Sequence, residues 1–110
     1  MRRRIKPKSR TSRRRKSRTA LRRECDIRFA RAVKDRDAWR CVICGKGNVQ
    51  CAHIVSRRYG ATRFLMGNAV TLCAGHHVFY THRPLEWDEW VTARLGEAGY
   101  AELRAVALRG

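Results

Sequence analysis

Two pairs of metal-donor residues share one spacing. Cys41-Val42-Ile43-Cys44-Gly45 is a CxxC turn, and Cys73-Ala74-Gly75-His76 repeats its two-residue gap with His in the last place. Such a gap lets two donors on one backbone turn reach the same ion, and Gly45 supplies the conformational freedom the turn requires. Cys41, Cys44, Cys73 and His76 therefore form a Cys3His set suited to tetrahedral Zn2+ in a structural role, with Zn–S near 2.3 Å. Buried thiols, disulfides or a redox pair are the competing readings. Disulfides are disfavoured because nothing marks the chain as secreted, and a redox CxxC belongs in a βαβ context that the pattern lacks. Cys25 reads as a helix core residue. Cys51 reads either as a residue packed on the knuckle or as a spare thiol near the metal.

Between the two halves lie groups suited to cutting a phosphodiester. That reaction needs a base to activate water, a Lewis acid for the developing charge, and cations to hold the phosphate. His53 follows a short apolar strand and precedes a basic turn, so it is the candidate base; a zinc ligand is its other reading. His76 and His77 are neighbours on an expected helix, about 100° apart, so one can close the zinc set while the other faces a cleft. Asn68 follows Gly67, and that pair also suits a helix cap or a turn. His82 is a supporting group or a late ligand. Arg57, Arg58 and Arg63 lie on a loop with Tyr59 and Phe64 and are candidate phosphate contacts, with a solvated loop as the alternative. Arg83 is a lesser candidate. Trp87, Trp90, Leu65 and Met66 read as core. No regular recognition helix is visible, so binding is expected to follow the nucleic-acid backbone or its shape and to depend strongly on salt.

The ordered combination RDxWRCxxCG, AHI, NxVxLC and a final His after the knuckle resembles the HNH endonucleases over residues 35–83. The wider pattern through EW is most similar to phage-encoded members, including recombination endonucleases of the NinG/Rap type. The resemblance implies a ββα-metal (His-Me finger) core and DNA hydrolysis. It implies that His53 activates water, that Asn68 orients that base or supports the metal, and that His77 binds a catalytic Mg2+ or another divalent ion. It also brings a homodimer, or phage packaging and recombination proteins, into view as partners. One departure stands out: Ala52 occupies the place where many members carry a metal ligand. Cys51 is a poor substitute, because thiolate is soft and Mg2+ prefers oxygen.

The elements that must position these groups follow from composition. The 110 residues carry 26 Lys plus Arg and 9 Asp plus Glu, a net charge of +17. The length allows one small domain, and the charge points to a polyanionic partner. Thirteen of the basic residues and no acid fall within residues 1–23. Residues 1–20 are therefore expected to be a disordered basic arm, with Arg13, Arg14 and Arg15 among its nucleic-acid contacts. Residues 21–110 form the domain. A helix is expected over 21–39 with an apolar stripe of Leu21, Cys25, Phe29 and Val33, joined by Ile27. The knuckle and ββα core occupy 40–83. A helical part over 84–110 begins at Pro84, has Trp87, Trp90, Val91 and Leu95 on one face, and is interrupted near Gly96 and Gly99 before a stripe of Leu103, Val106 and Leu108. The fold class is thus α+β with flanking helices. So thin a core calls for a staple, which zinc supplies. No apolar run is long enough to span a membrane and no secretory signal is visible, so a cytoplasmic or nucleoid-associated protein is expected; an Arg-rich transit peptide is the nearest alternative. The expected function is a metal-dependent DNA endonuclease acting on duplex or branched DNA. The alternative is a non-catalytic zinc-stabilised module that binds nucleic acid.

Overall fold

A serine starts the first helix. In the computed structural model, which describes residues 16–110, the Ser17 hydroxyl accepts the Ala20 N–H at 3.1 Å and α1 runs Arg18–Arg36. Residues 18–20, expected within the arm, are therefore helical. The arm proper, with Arg13, Arg14 and Arg15, lies outside the described residues. The helix stops at Asp37, and Ala38 and Trp39 both adopt φ of 57°. Two consecutive L-residues in the left-handed region turn the chain sharply toward Cys41. Trp39 is held there by its indole N–H donating to Asp35 at 2.7 Å and by Lys34 over its ring.

Two strands follow. β1 (Val49–His53) and β2 (Ala69–Cys73) pair antiparallel, with Val49 opposite Cys73 and His53 opposite Ala69. β2 is buried along its whole length. Side chains alternate across the hairpin. Ala52, Val70 and Leu72 face Val91 and Tyr100, while Cys51 and Ala69 face Phe29 and Val33 of α1. The outer edge of β2 is covered rather than open: Arg36 donates to Ala69 O at 2.8 Å, Thr71 N donates to Asp37 at 3.1 Å, and Val42 N donates to Thr71 O at 3.0 Å.

Between the strands runs a loop with a short helix, α2 (Gly60–Arg63), and a 3-10 turn at Met66–Asn68. α3 (Ala74–Thr81) springs directly from β2, with the Cys73 sulfur accepting the His76 N–H at its start. α4 (Pro84–Arg109) closes the other face, and its second half packs on α2. At Gly96 its backbone leaves the helix (φ 79°, ψ 159°), as the glycine pattern predicts, while Gly99 stays helical. The Tyr100 hydroxyl donates to Asp88 at 2.7 Å across that corner. The result is a small α+β domain: one hairpin between helices, in the order helix, strand, strand, helix, helix once α2 is set aside.

Several expected core positions are exposed. Phe29 and Val33 are buried, but Leu21, Cys25 and Ile27 on the same helix are exposed. The reason is length. A 19-residue helix spans about 28 Å and a five-residue strand about 17 Å, so the hairpin covers only the second half of α1. Leu65 and Met66 are exposed too, because polar bonds rather than apolar burial hold their loop. On α4, Leu108 points outward and Ala107 takes the inward place in line with Tyr100 and Leu103. Trp87, Trp90, Val91 and Leu95 do pack on the core, Val91 completely. Among the described residues, no helix is long and apolar enough to cross a membrane.

Candidate metal centre and cleft

The knuckle loop closes on itself before it meets α3. Cys41 N donates to Lys46 O and Gly45 N to Cys41 O, both at 2.9 Å, with Gly45 at φ 77°. Ala74 N donates to Asn48 O at 3.2 Å, which ties the loop to the start of α3. One donor atom from each of Cys41, Cys44, Cys73 and His76 then lies within 4.8 Å of all the others. The edges are 3.7 Å between the Cys44 and Cys73 sulfurs, 3.6 Å from Cys41 Sγ to His76 Nδ1, and 3.2 Å from Cys73 Sγ to the same nitrogen. A tetrahedron with its centre about 2.3 Å from each sulfur has edges near 3.7 Å, so the four donors fit a zinc ion. Burial raises the Cys41 thiol's pKa, but the backbone N–H groups of Cys44, Cys73 and Ile43 outweigh it and bring the value down to about 6. Cys41 is thus prepared as thiolate, the form that binds metal, whereas at Cys44 the Lys46 N–H is outweighed by burial and the Cys41 and Cys73 sulfurs, which push the thiol up.

Cys25 and Cys51 are not members of this cluster. Cys51 packs against the Phe29, Val33 and Ala69 cluster instead of the knuckle, and burial pushes its thiol up. All five cysteines are free thiols.

Beside β1 and α1 lies a cleft of about 480 Å3 lined by Asp26, Ala30, Lys34, Gln50, Cys51, His53, Ser56, Arg57 and His77. A second, of about 280 Å3, also contains His53, Ser56 and His77 and reaches Tyr80 and Trp87. His53, at the end of β1, stacks on Phe29 with ring centroids 5.4 Å apart. Its Nε2 lies 2.9 Å from the Arg63 carbonyl oxygen. A carbonyl only accepts, so Nε2 carries the hydrogen and Nδ1 holds a lone pair. Burial, and then the nearby Arg57 and Arg63 charges, hold the imidazole below its usual pKa in spite of the carbonyl and Asp26. It is a neutral base at pH 7.

His77 turns the other way from His76. Its Nδ1 meets the Gln50 Oε1. An amide oxygen accepts, so Nδ1 carries the hydrogen and Nε2 holds the lone pair. Two imidazoles with defined tautomers thus line the same cleft, while the preceding residue of α3, His76, completes the Cys3His set.

Asn68 occupies neither centre. It is fully buried; its carbonyl oxygen accepts Val55 N at 2.8 Å and its amide donates to Val55 O and Thr62 O, both at 3.0 Å. Its three side-chain bonds hold the 54–68 loop, and none of them reaches the His53 ring. Arg63 likewise differs from a free phosphate contact. Its guanidinium forks onto Asp26 of α1 at 2.9 and 2.6 Å and donates to Arg57 O at 2.9 Å. Arg57 and Arg58 are exposed, Arg58 over the Tyr59 ring. His82 caps the end of α3, exposed to solvent. Ala52 is buried in the core and offers no donor.

Three supporting residues escaped sequence reasoning: Asp26, Gln50 and the backbone carbonyl of Arg63. Only the three-dimensional pairing brings them to the histidines. No protein-family model, curated protein or solved structure matches the chain.

Proposed function

We propose that the chain is a DNA endonuclease of the HNH type, with β1, β2 and α3 as its ββα-metal core and a structural zinc beneath. The observation that supports this reading most is the state of His53: neutral, oriented through Nε2 by a backbone carbonyl so that Nδ1 keeps a lone pair, and lining a cleft that His77 shares. A binding module does not need an oriented base. In the proposed reaction Nδ1 takes a proton from water as the water oxygen bonds to phosphorus. The opposite P–O bond breaks, and the leaving oxygen is protonated by solvent. Arg57 and Arg58 supply positive charge for the phosphate.

A catalytic Mg2+ held by the protein alone does not fit these residues. Mg2+ requires oxygen ligands, usually carboxylates. Here Ala52 offers none, Asn68 is engaged elsewhere, and Asp26 is forked by Arg63. His77 and Gln50 are what remains. No step is assigned to that ion.

Plasmid nicking with Mg2+, Mn2+ or Ni2+ tests the proposal. Wild type nicks, and His53→Ala loses about 10²–10⁴-fold in rate, with its zinc content unchanged. Equal rates in both proteins overturn it. The lack of a free carboxylate in the cleft, where the Arg63 guanidinium holds Asp26, favours the second reading, a zinc-stabilised module that binds nucleic acid without cutting it. That reading expects no nicking with any of the three metals.

A further inference from the structure

The cleft does not end at the histidines. A groove of about 430 Å3 between α1 and the 54–68 loop is lined by Thr19, Arg22, Arg23, Asp26, Ile27, Ala30, Arg57 and Arg63. Asp26, Ala30 and Arg57 also line the His53 cleft, so groove and cleft join along one face of α1. Arg22 and Arg23 stand at one end, Arg57 in the middle and Lys34 at the other. None of the four has a carboxylate partner among the described residues. The one acid in the groove is Asp26, and the Arg63 fork covers it. The floor therefore does not repel an anion.

We propose that this face of α1 is a track for one phosphodiester strand of duplex DNA, delivering it to the His53 cleft. From Arg22 to Lys34 the helix rises about 18 Å, the axial length of about five nucleotides of one strand. The helix is unbroken from Arg18 to Arg36 and its cations recur along one side, which suits a regular backbone. Apart from the His53 and His77 imidazoles at the cleft end, the lining residues carry no aromatic ring, so unpaired bases find no Phe, Tyr or Trp stacking platform along the track. Duplex DNA is thus favoured over single strands. The track's destination rests on the nuclease reading; its occupancy does not.

The test is binding by the full-length, zinc-loaded chain, measured by fluorescence anisotropy across a salt series without added divalent metal. The triple variant Arg22→Ala, Arg23→Ala, Arg57→Ala is compared with Arg40→Ala, Arg94→Ala, Arg109→Ala, three exposed arginines outside the groove. Both triples remove the same charge and leave the arm intact. Each phosphate contact contributes about 0.9 to the salt slope, so the groove triple flattens it by about 2.7 on duplex DNA and weakens binding about tenfold or more at 150 mM salt. The control triple changes the slope by less than about 1. Equal effects of the two triples, or tighter binding of single-stranded DNA or duplex RNA than of duplex DNA, overturn the track. If His53→Ala nicks normally while the groove triple still flattens the slope, the nuclease reading fails and the track stands.

Discussion

The metal cluster and the cleft carry histidines with different kinds of support. In the metal cluster, each donor sits within three residues of another, and local backbone turns aim them: the Gly45 turn for Cys41 and Cys44, the first turn of α3 for Cys73 and His76. In the cleft, His53 and His77 depend on partners remote in the chain: Arg63 and Asp26 for one, Gln50 for the other. A metal site can be written locally because the ion itself draws the donors together. A base must be oriented before any ligand arrives, so the fold has to supply the orientation.

Removal of zinc should have the largest effect. Structural zinc contributes about 10–16 kcal/mol of apparent binding energy in small domains, and this core has few wholly buried large side chains. Chelation, or Cys73→Ser, is expected to abolish the cooperative unfolding transition followed by circular dichroism. A retained transition would place the stability in the apolar core. Asn68→Ala comes next. It orphans three backbone groups in the loop and should cost about 2–4 kcal/mol in denaturant unfolding, with zinc content preserved. A loss of zinc would mean that the cluster and the cleft are less separate than their contacts suggest.

Asp26→Asn is expected to act more gently, at about 1 kcal/mol, because the pair is partly exposed. Its sharper readout is NMR of the His53 ring. With Arg63 loosened, the Nε2-protonated tautomer should lose population and nicking should fall about tenfold, whereas a purely structural pair would leave the ring signals unmoved. The smallest effect concerns pH. His53 is held below its usual pKa by burial, so the unfolded chain binds its proton first as pH falls. Its stability contribution is complete above about pH 6.5 and is lost as pH drops through the lower folded value. The acid limb of the nicking profile should lie below about 6.5 as well. A limb above that value would assign the base elsewhere.

What the sequence disclosed divides along the same line. The Cys3His set was legible because spacing alone specifies it, and so was the break in α4, because Gly96 sits in a helical stripe. The opposed directions of His76 and His77 followed from helix geometry. The depth of α1 was not legible: its stripe continues through Cys25 and Leu21, but nothing in the pattern states how far the hairpin reaches. Asn68 and Arg63 were assigned to chemistry from their neighbourhood in sequence, whereas their side chains meet Val55, Thr62 and Asp26. Such polar fasteners have no periodic signature. They are recognisable only once the loop they hold has a shape.

The adjacency of His76 and His77 has a thermodynamic consequence. One turn of α3 carries a zinc donor and a cleft donor on consecutive residues, so whatever immobilises that turn at one site has already ordered it for the other. Occupancy of the two sites is then linked, and linkage is reciprocal: if zinc raises affinity for a ligand that engages His77, that ligand raises affinity for zinc by the same factor. A metal ion at the Cys3His cluster and a ligand in the cleft would then be mutual effectors.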